Sequence, residues 1–288
     1  MQQSRQAMSS IGHHKATVVS MGRNPVSIVG ASRGLGAALC AFYASRGRAV
    51  VGFARSALAI ESETSLIRVD VRSQESCGLV AEWLKKTDGS RTVIVTAAVL
   101  GPVGPIGVTD ADRWADAVTT NLVGAGNILR AIANDVHSDD RIIIFMGGGV
   151  GGPFMQSRVS AYTASKAGLA MLIEEVASDA SFVAPVIGLA PGSFPTGFAD
   201  EVLTVGEHVA GTQLHAQVLD VYKGAVDIRP ITAALDFIES PEGALLNGRI
   251  VSAQRDDFLE VCKLAEASSD AFRLRRVDGH TVRVVEPW

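Results

Sequence analysis

Near the start of the chain the sequence reads Val26-Ser27-Ile28-Val29-Gly30-Ala31-Ser32-Arg33-Gly34-Leu35-Gly36. A short apolar run is followed by a turn with three glycines and then by residues 35–46, whose apolar side chains recur at helical spacing. A strand, a glycine-rich turn and a helix in this order allow backbone to approach a pyrophosphate, which the helix N-terminus then binds. An ordinary strand–turn–helix connection is the alternative. We predict that the dinucleotide contacts are Gly30, Ser32, Arg33, Gly34, Leu35 and Gly36.

Short apolar runs alternate with helical patterns along the rest of the chain. We predict further strands at 49–54, 66–69, 92–96, 141–145 and 185–189, and helices at 76–86, 111–133 and 161–177. Continuous apolar strands between helices are typical of a parallel sheet that is covered on both faces. The pattern therefore predicts an α/β fold of the Rossmann type, a doubly wound parallel sheet in three α/β/α layers, with ligands at the carboxyl ends of the strands.

Composition narrows the class of protein. The chain has 288 residues, is 47% hydrophobic, carries a net charge of −4 and has no block of Lys and Arg, so we expect no nucleic-acid or membrane partner. No apolar run reaches the ~18 residues that span a bilayer. Three widely spaced cysteines, Cys40, Cys77 and Cys262, argue against a disulfide framework or a metal site. They favour a reducing compartment, and we predict a cytoplasmic protein.

The chain reads as one domain with extensions. Residues 1–24 are polar and lack the apolar core of a signal peptide, so we interpret them as a mobile N-terminal extension. Residues 25–288 form the single domain. Within it we expect a substrate lid at about 193–225 and a C-terminal extension at about 253–288.

Two residues carry candidate chemistry. Tyr162 and Lys166 are four positions apart on a predicted helix and so share one face. A phenol titrates near pKa 10 in water, and a nearby cation lowers that pKa by favouring the phenolate. Tyr-x-x-x-Lys is common by chance, but the glycine turn upstream makes a proton-transfer pair the better interpretation.

Together these motifs resemble those of the classical short-chain dehydrogenase/reductase family, over Val26 to about Val251. Besides the turn and the Tyr/Lys pair, the matching pieces are Asp70-Val71, Asn121-Leu122-Val123-Gly124 and Pro191-Gly192-Ser193-Phe194-Pro195-Thr196. The resemblance implies that Tyr162 is the proton donor or acceptor and that Lys166 lowers its pKa and holds the nicotinamide ribose. It implies that Asn121 keeps a water in the proton relay. Its implied cofactor contacts are Asp70 and Val71 at the adenine, Pro191, Gly192 and Thr196 at the nicotinamide, and Ala97.

The charged residues in the glycine turn and at the end of the second strand indicate which cofactor is bound. An acidic residue at the end of the second strand is typical of NAD sites, whereas arginine accommodates the 2′-phosphate of NADP. Here that strand ends Phe53-Ala54-Arg55, and Arg33 lies within the glycine turn. Two guanidinium groups can bind a phosphate, and the alternative is that both are solvated surface residues. We predict NADP(H), with NAD(H) as the less favoured cofactor.

Two segments depart from the family pattern. The family has a serine after the fifth strand that binds the substrate oxygen, but here Gly148 or Gly149 stands in its place. Backbone N–H groups of the glycine run, Ser157 or Ser160 could replace it, or catalysis could be lost. The usual Asn-Asn-Ala-Gly after the fourth strand is also altered, to Thr96-Ala97-Ala98-Val99.

The sequence thus predicts an NADP(H)-dependent oxidoreductase acting on a small carbonyl or alcohol. The alternatives are a 3-oxoacyl-thioester reductase and a catalytically weak NADP(H)-binding sensor or scaffold. We also expect a homodimer or homotetramer, because family members pair through the helices that hold Asn121 and Tyr162. In this chain those helices carry a surplus of apolar residues, namely Trp114, Val118, Leu122, Leu169, Leu172 and Ile173.

Overall fold

The computed structural model describes residues 24–56, 65–147, 150, 157–192, 197–223 and 227–273. Its strands are β1 (Val26–Val29), β2 (Val50–Ala54), β3 (Ser65–Arg68), β4 (Thr92–Val95), β5 (Arg141–Phe145), β6 (Val186–Ala190) and β7 (Ile250–Ser252). They form one parallel sheet in the order β3-β2-β1-β4-β5-β6-β7. The predicted doubly wound fold is confirmed, and the strand order reverses between β1 and β4, where such sheets bind ligands.

Helices cover both faces of this sheet. In the described part they are α1 (Gly34–Ser45), α2 (Gln74–Leu84), α3 (Ala111–Val118), α4 (Gly124–Ile132), α5 (Ser160–Ser178), α6 (Gly197–Val205), α7 (Glu207–Ala210), α8 (Thr212–Lys223), α9 (Arg229–Ile238) and α10 (Phe258–Ala267). The buried side chains of α2, α4 and α5 pack on one face of the sheet. Those of α1, α9 and α10 pack on the other. The strands β1 and β5 between these helices are buried along their whole length and are mostly apolar, as is typical of a sheet covered on both faces.

One predicted helix is interrupted. We expected a single helix over 111–133, and Asp110 does cap its start by accepting a hydrogen bond from the Arg113 N–H at 2.8 Å. However, a π-helical turn over Thr119–Val123 separates α3 from α4. Turns of this kind insert one extra residue into a helix and are frequent at functional sites. Asn121 lies in this turn.

The open edge of β7 is covered by the chain's own C-terminal part. Because parallel pairing engages every second residue, the N–H groups of Ile250 and Ser252 point away from β6. Ile250 N–H donates to the Phe272 carbonyl at 2.9 Å, and Ser252 N–H donates to the Asp256 carboxylate at 2.6 Å. Both outward donors of this edge strand are therefore satisfied.

Several expected segments fall partly outside the described residues. These are the N-terminal extension apart from Asn24, the ends of the expected lid at 193–196 and 224–225, and the end of the C-terminal extension from 274. Within the described part, the lid forms the three short helices α6, α7 and α8, and α10 of the C-terminal extension packs into the core through Val261 and Cys262. No described helix combines the length and the apolar character that a membrane crossing needs.

Candidate functional site

A cavity of about 930 Å³ opens at the carboxyl ends of the strands. It is bounded by the glycine turn, by the segments that follow β2 to β6, and by α5, α6 and α8. The site residues that we predicted and that line it are Gly30, Ser32, Arg33, Gly34, Leu35, Gly36, Arg55, Asp70, Val71, Ala97, Tyr162, Lys166, Pro191 and Gly192. Thr196 lies outside the described residues, and Asn121 lies behind the cavity wall.

The glycine turn is packed too tightly for side chains. A Cβ on Gly36 would lie 2.2 Å from the Gly30 carbonyl oxygen, and one on Gly30, whose φ is +101°, would lie 2.5 Å from the Ala97 nitrogen. Helix α1 then begins without a side-chain cap, since Arg33 at the N-cap position makes no such hydrogen bond. The first N–H groups of α1 thus face the cavity beside bare backbone, which suits a pyrophosphate.

Thr96 ties this turn to β4. Its hydroxyl lies 3.1 Å from the Val29 carbonyl oxygen and 3.3 Å from that of Gly30, within hydrogen-bonding distance of both. Thr96 is the first residue of the segment that departs from the family pattern. Sequence reasoning missed its role, because only the pairing of β1 with β4 brings Thr96 to the turn.

The two arginines of the cofactor hypothesis have different neighbours. Arg55 contributes to the low pKa of Asp70, which is lowered mainly by the hydrogen bonds that Arg72 donates to its carboxylate. Arg33 instead lies beside α6, where its positive charge acts on Glu201, whose pKa is raised overall by burial. Both are exposed and line the cavity. Arg72, which sequence reasoning did not select, adds a third guanidinium to the end of the cavity near Asp70.

Asn121 fixes the loop after β4. Its side-chain oxygen accepts from the Val99 N–H at 2.8 Å, and its amide nitrogen donates to the Val99 carbonyl at 2.9 Å and to the Ser165 hydroxyl at 3.0 Å. The side chain is 1% exposed. It holds the cavity wall, and its amide does not point into the cavity; the predicted role at a relay water stays a prediction.

Tyr162 and Lys166 lie one helical turn apart on α5, both buried. Lys166 Nζ donates to the Phe145 carbonyl at 2.6 Å and lies 5.7 Å from the centre of the Tyr162 ring. Burial raises the pKa of Tyr162 and lowers the pKa of Lys166 to about 8. We expected the cation to lower the phenol pKa, but here the loss of hydration on burial dominates and raises it.

Gly147 lies beside the Tyr162 hydroxyl. A Cβ on Gly147 would lie 2.4 Å from that oxygen. The serine position that we assigned to Gly148 or Gly149 lies outside the described residues. The alternative Ser160 has its hydroxyl engaged, since it accepts from the Trp114 indole at 3.0 Å. Sequence reasoning did not select Gly147, because its separation from Tyr162 along the chain does not show that the fold brings the two residues together.

The end of the cavity at Pro191 and Gly192 has a neighbour that the sequence analysis did not anticipate. Gly192 has a φ of +80°, and a Cβ there would lie 2.1 Å from the Gln254 side chain. Gln254 and Arg255, in the turn after β7, also line the cavity. The Pro191-Gly192 bend is therefore covered by a side chain from the turn after β7, a strand that our sequence analysis did not predict.

Comparisons with known proteins agree with this geometry. A family model described as short chain dehydrogenase matches residues 24–204. An NADPH-dependent pterin aldehyde reductase of Arabidopsis thaliana is 32% identical over 182 residues, which are 59% of this chain and 75% of the relative. A 3-oxoacyl-[acyl-carrier-protein] reductase of Vibrio cholerae is 25% identical over 230 residues, 77% of this chain and 91% of the relative.

Solved structures show the same likeness. The KRED1-Pglu enzyme is 26% identical, with a TM-score of 0.65 over 79% of this chain and 100% of that one. An aldohexose dehydrogenase of Thermoplasma acidophilum, 18% identical, has a TM-score of 0.67 over 80% of this chain and 92% of that one, which is a likeness of fold alone.

Proposed function

The chain belongs to the short-chain dehydrogenase family, and from that premise we propose that it transfers a hydride between NADP(H) and a small carbonyl or alcohol, with Tyr162 as general acid and base. It is an oxidoreductase that acts on CH–OH or C=O groups. The observation that carries the finer proposal is that Tyr162 and Lys166 line the same cavity as the glycine turn.

The residues present fit a dinucleotide. The bare backbone of Gly30 and Gly36 and the uncapped start of α1 would hold the pyrophosphate, while Asp70 and Val71 would border the adenine. Lys166 would bind the nicotinamide ribose. When bound, the nicotinamide supplies or accepts the hydride.

The protein's own part in the reaction is proton transfer and positioning. A raised pKa keeps Tyr162 protonated at neutral pH, so its hydroxyl can donate a proton to a substrate oxygen during reduction. In the oxidative direction Tyr162 must first be deprotonated, and its phenolate then accepts the proton of the substrate alcohol. Lys166, with a pKa of about 8, is largely charged at pH 7 and makes a phenolate beside it less costly.

Cofactor choice gives the direct test. We expect NADPH to bind more tightly than NADH, and Arg55→Ala to weaken NADPH binding by about tenfold or more, since an exposed charge-assisted contact contributes on that order. NADH affinity should barely change, because it lacks the 2′-phosphate. Fluorescence titration of both cofactors measures this, with Arg33→Ala in parallel.

Arg229→Ala is the matched control, because Arg229 is exposed and pairs with Asp227 outside the cavity. It should leave both affinities unchanged. Equal affinity of the native protein for NADPH and NADH would reject the NADP assignment.

Two other functions have specific support. The similarity to the Vibrio cholerae relative favours a 3-oxoacyl-thioester reductase as an alternative. In that case the protein would reduce 3-oxoacyl thioesters far faster than small ketones. The missing serine after the fifth strand favours a weakly catalytic NADP(H)-binding protein, because Gly148 or Gly149 stands at that position. Turnover of a carbonyl panel, followed by NADPH absorbance, separates these from the main proposal.

Assembly belongs to the same proposal. Of the six apolar residues that suggested an interface, Leu169, Ile173, Leu122 and Leu172 pack into or against the sheet core. The exposed apolar residues of these helices are instead Val123 and Met171, each 48% exposed. We propose that this face pairs two copies of the chain.

Light scattering at micromolar concentration should therefore give a dimer or tetramer. Met171→Glu should shift the protein toward monomer, because it places a charge in the paired face. Leu264→Glu on α10, at a position that is 46% exposed, is the control and should not. A monomeric native protein would contradict the proposal.

A further inference from the structure

The wall of the cavity around Tyr162 is an apolar cluster built by the lid and the core. Leu100, Val159, Val202 and Leu214 are each at most 5% exposed and pack together with Tyr162. Phe198 meets the Tyr162 ring edge-on, with the ring centres 5.3 Å apart. Apolar side chains of the lid and the core therefore enclose part of the Tyr162 ring beside the cavity.

Among the described residues of α6 and α8 that line the cavity, the polar side chains are exposed and the buried ones are apolar. The lining residues of α6 and α8 that are buried or half-buried are glycine or apolar, and they include Val202, Leu214 and Val218. The polar lining residues of α8, Gln217 and Asp220, are exposed. A substrate substituent that lies against these helices therefore meets methyl and phenyl groups. The charged lining residue of α8 is Asp220, which is negative and exposed at the mouth of the cavity.

We propose that this part of the cavity selects a neutral ketone or aldehyde that carries an aryl or branched alkyl group. The inference rests on the proposed function, since it places the substrate carbonyl beside Tyr162. A carboxylate, phosphate or sugar hydroxyl on the buried side would lose its hydration without gaining a partner from the described lid residues. The binding free energy of an apolar group becomes more favourable in proportion to the apolar area that it buries.

The geometry also favours a bulky group. Gly147 contributes no side chain on the side of the Tyr162 hydroxyl, and Phe198 offers an aromatic surface next to the Tyr162 ring. Aromatic pairs prefer edge-to-face or offset contacts, so an aryl substituent can extend this arrangement. A very small ketone such as acetone would leave the apolar wall unfilled.

A matched pair of substrates tests the inference. Acetophenone and 4-acetylbenzoate have the same reacting carbonyl and differ by one carboxylate. With NADPH saturating, we expect kcat/KM for acetophenone to exceed that for 4-acetylbenzoate by about 10²-fold or more, because a buried charge without a partner is strongly disfavoured. Acetone should be poorer than acetophenone by about tenfold or more. Equal or better use of 4-acetylbenzoate would overturn the inference.

A charge placed in the lid should reverse the preference. Val218→Arg puts a guanidinium into the apolar wall and should raise kcat/KM for 4-acetylbenzoate relative to acetophenone. Val108→Arg is the control, because Val108 is 80% exposed and does not line the cavity. Val108→Arg should leave the ratio of kcat/KM for the two ketones as it is in the native protein. If Val218→Arg also left this ratio unchanged, the proposal that this wall contacts the substrate would be wrong.

Binding separates this inference from the proposed function. Calorimetry of the protein saturated with NADP⁺ reports the affinity of each ketone without any turnover. If no carbonyl is reduced but acetophenone still binds more tightly than 4-acetylbenzoate, the proposed function fails and the apolar site stands. If both ketones are reduced and bind with equal affinity, the apolar site fails and the proposed function stands. Failure of both ketones to bind overturns the inference.

Discussion

We expect Tyr162→Phe to lower turnover by about 10²–10⁴-fold, the usual contribution of a positioned general acid or base. The substitution removes one hydroxyl and keeps the ring that packs against Phe198 and the lid. NADPH affinity should therefore stay nearly unchanged, because the glycine turn and the start of α1 do not involve this hydroxyl. Steady-state kinetics on any carbonyl that the native protein reduces, together with NADPH titration, measure both effects.

Tyr222→Phe is the matched control. The Tyr222 hydroxyl donates to the Asp200 carboxylate on the surface of the lid and does not line the cavity. Its loss removes the same atom from the same kind of residue and should leave turnover as it is. If Tyr162→Phe were as active as the native protein, the proton-transfer role of Tyr162 would be wrong whatever the fold.

Gly147→Ala should also lower turnover strongly, by about 10²-fold, although it adds only a methyl group. The new Cβ would lie 2.4 Å from the Tyr162 hydroxyl oxygen, so that the hydroxyl or the backbone after β5 has to move. Displacement of a reacting group by about 1 Å can cost a factor of that size. NADPH affinity, measured by titration, should change much less than kcat.

Gly78→Ala controls for the change of residue type. Gly78 lies within α2, and a Cβ there would meet no atom within 4 Å. Alanine is favoured over glycine in a helix by about 1 kcal/mol, so this variant should be at least as stable as the native protein and equally active. Full activity of Gly147→Ala would mean that the position of the Tyr162 hydroxyl is not critical.

The sequence was sufficient for most of the fold. Strands such as Val26–Val29 and Arg141–Phe145 are short apolar runs bounded by turns, and a strand buried on both faces leaves that signal in the sequence itself. The strand order, with β1 and β4 adjacent, follows from the general rules for doubly wound sheets. The residues of the glycine turn and the Tyr162/Lys166 pair could be located because their roles depend on spacing along the chain.

What was missed depends on contacts between distant segments. β7 is only three residues long and follows a turn, so its apolar content is too small to stand out. The roles of Thr96 at the glycine turn and of Gln254 over Gly192 arise where separate strands meet. The opposing pKa shifts of Tyr162 and Lys166 come from burial, which a helical spacing of four does not reveal.

The covering of β7 has a consequence for how copies of this chain can meet. An edge strand with free N–H groups invites strand addition, by which a sheet grows into a neighbouring molecule or into an aggregate. Here Phe272 and Asp256, both from the chain's own C-terminal part, already accept the two outward hydrogen bonds of β7. Because these N–H groups are already paired within the chain, a second copy cannot add a strand to the sheet at β7 and has to bind through side-chain contacts. The C-terminal segment thereby acts as a built-in guard against intermolecular β-pairing.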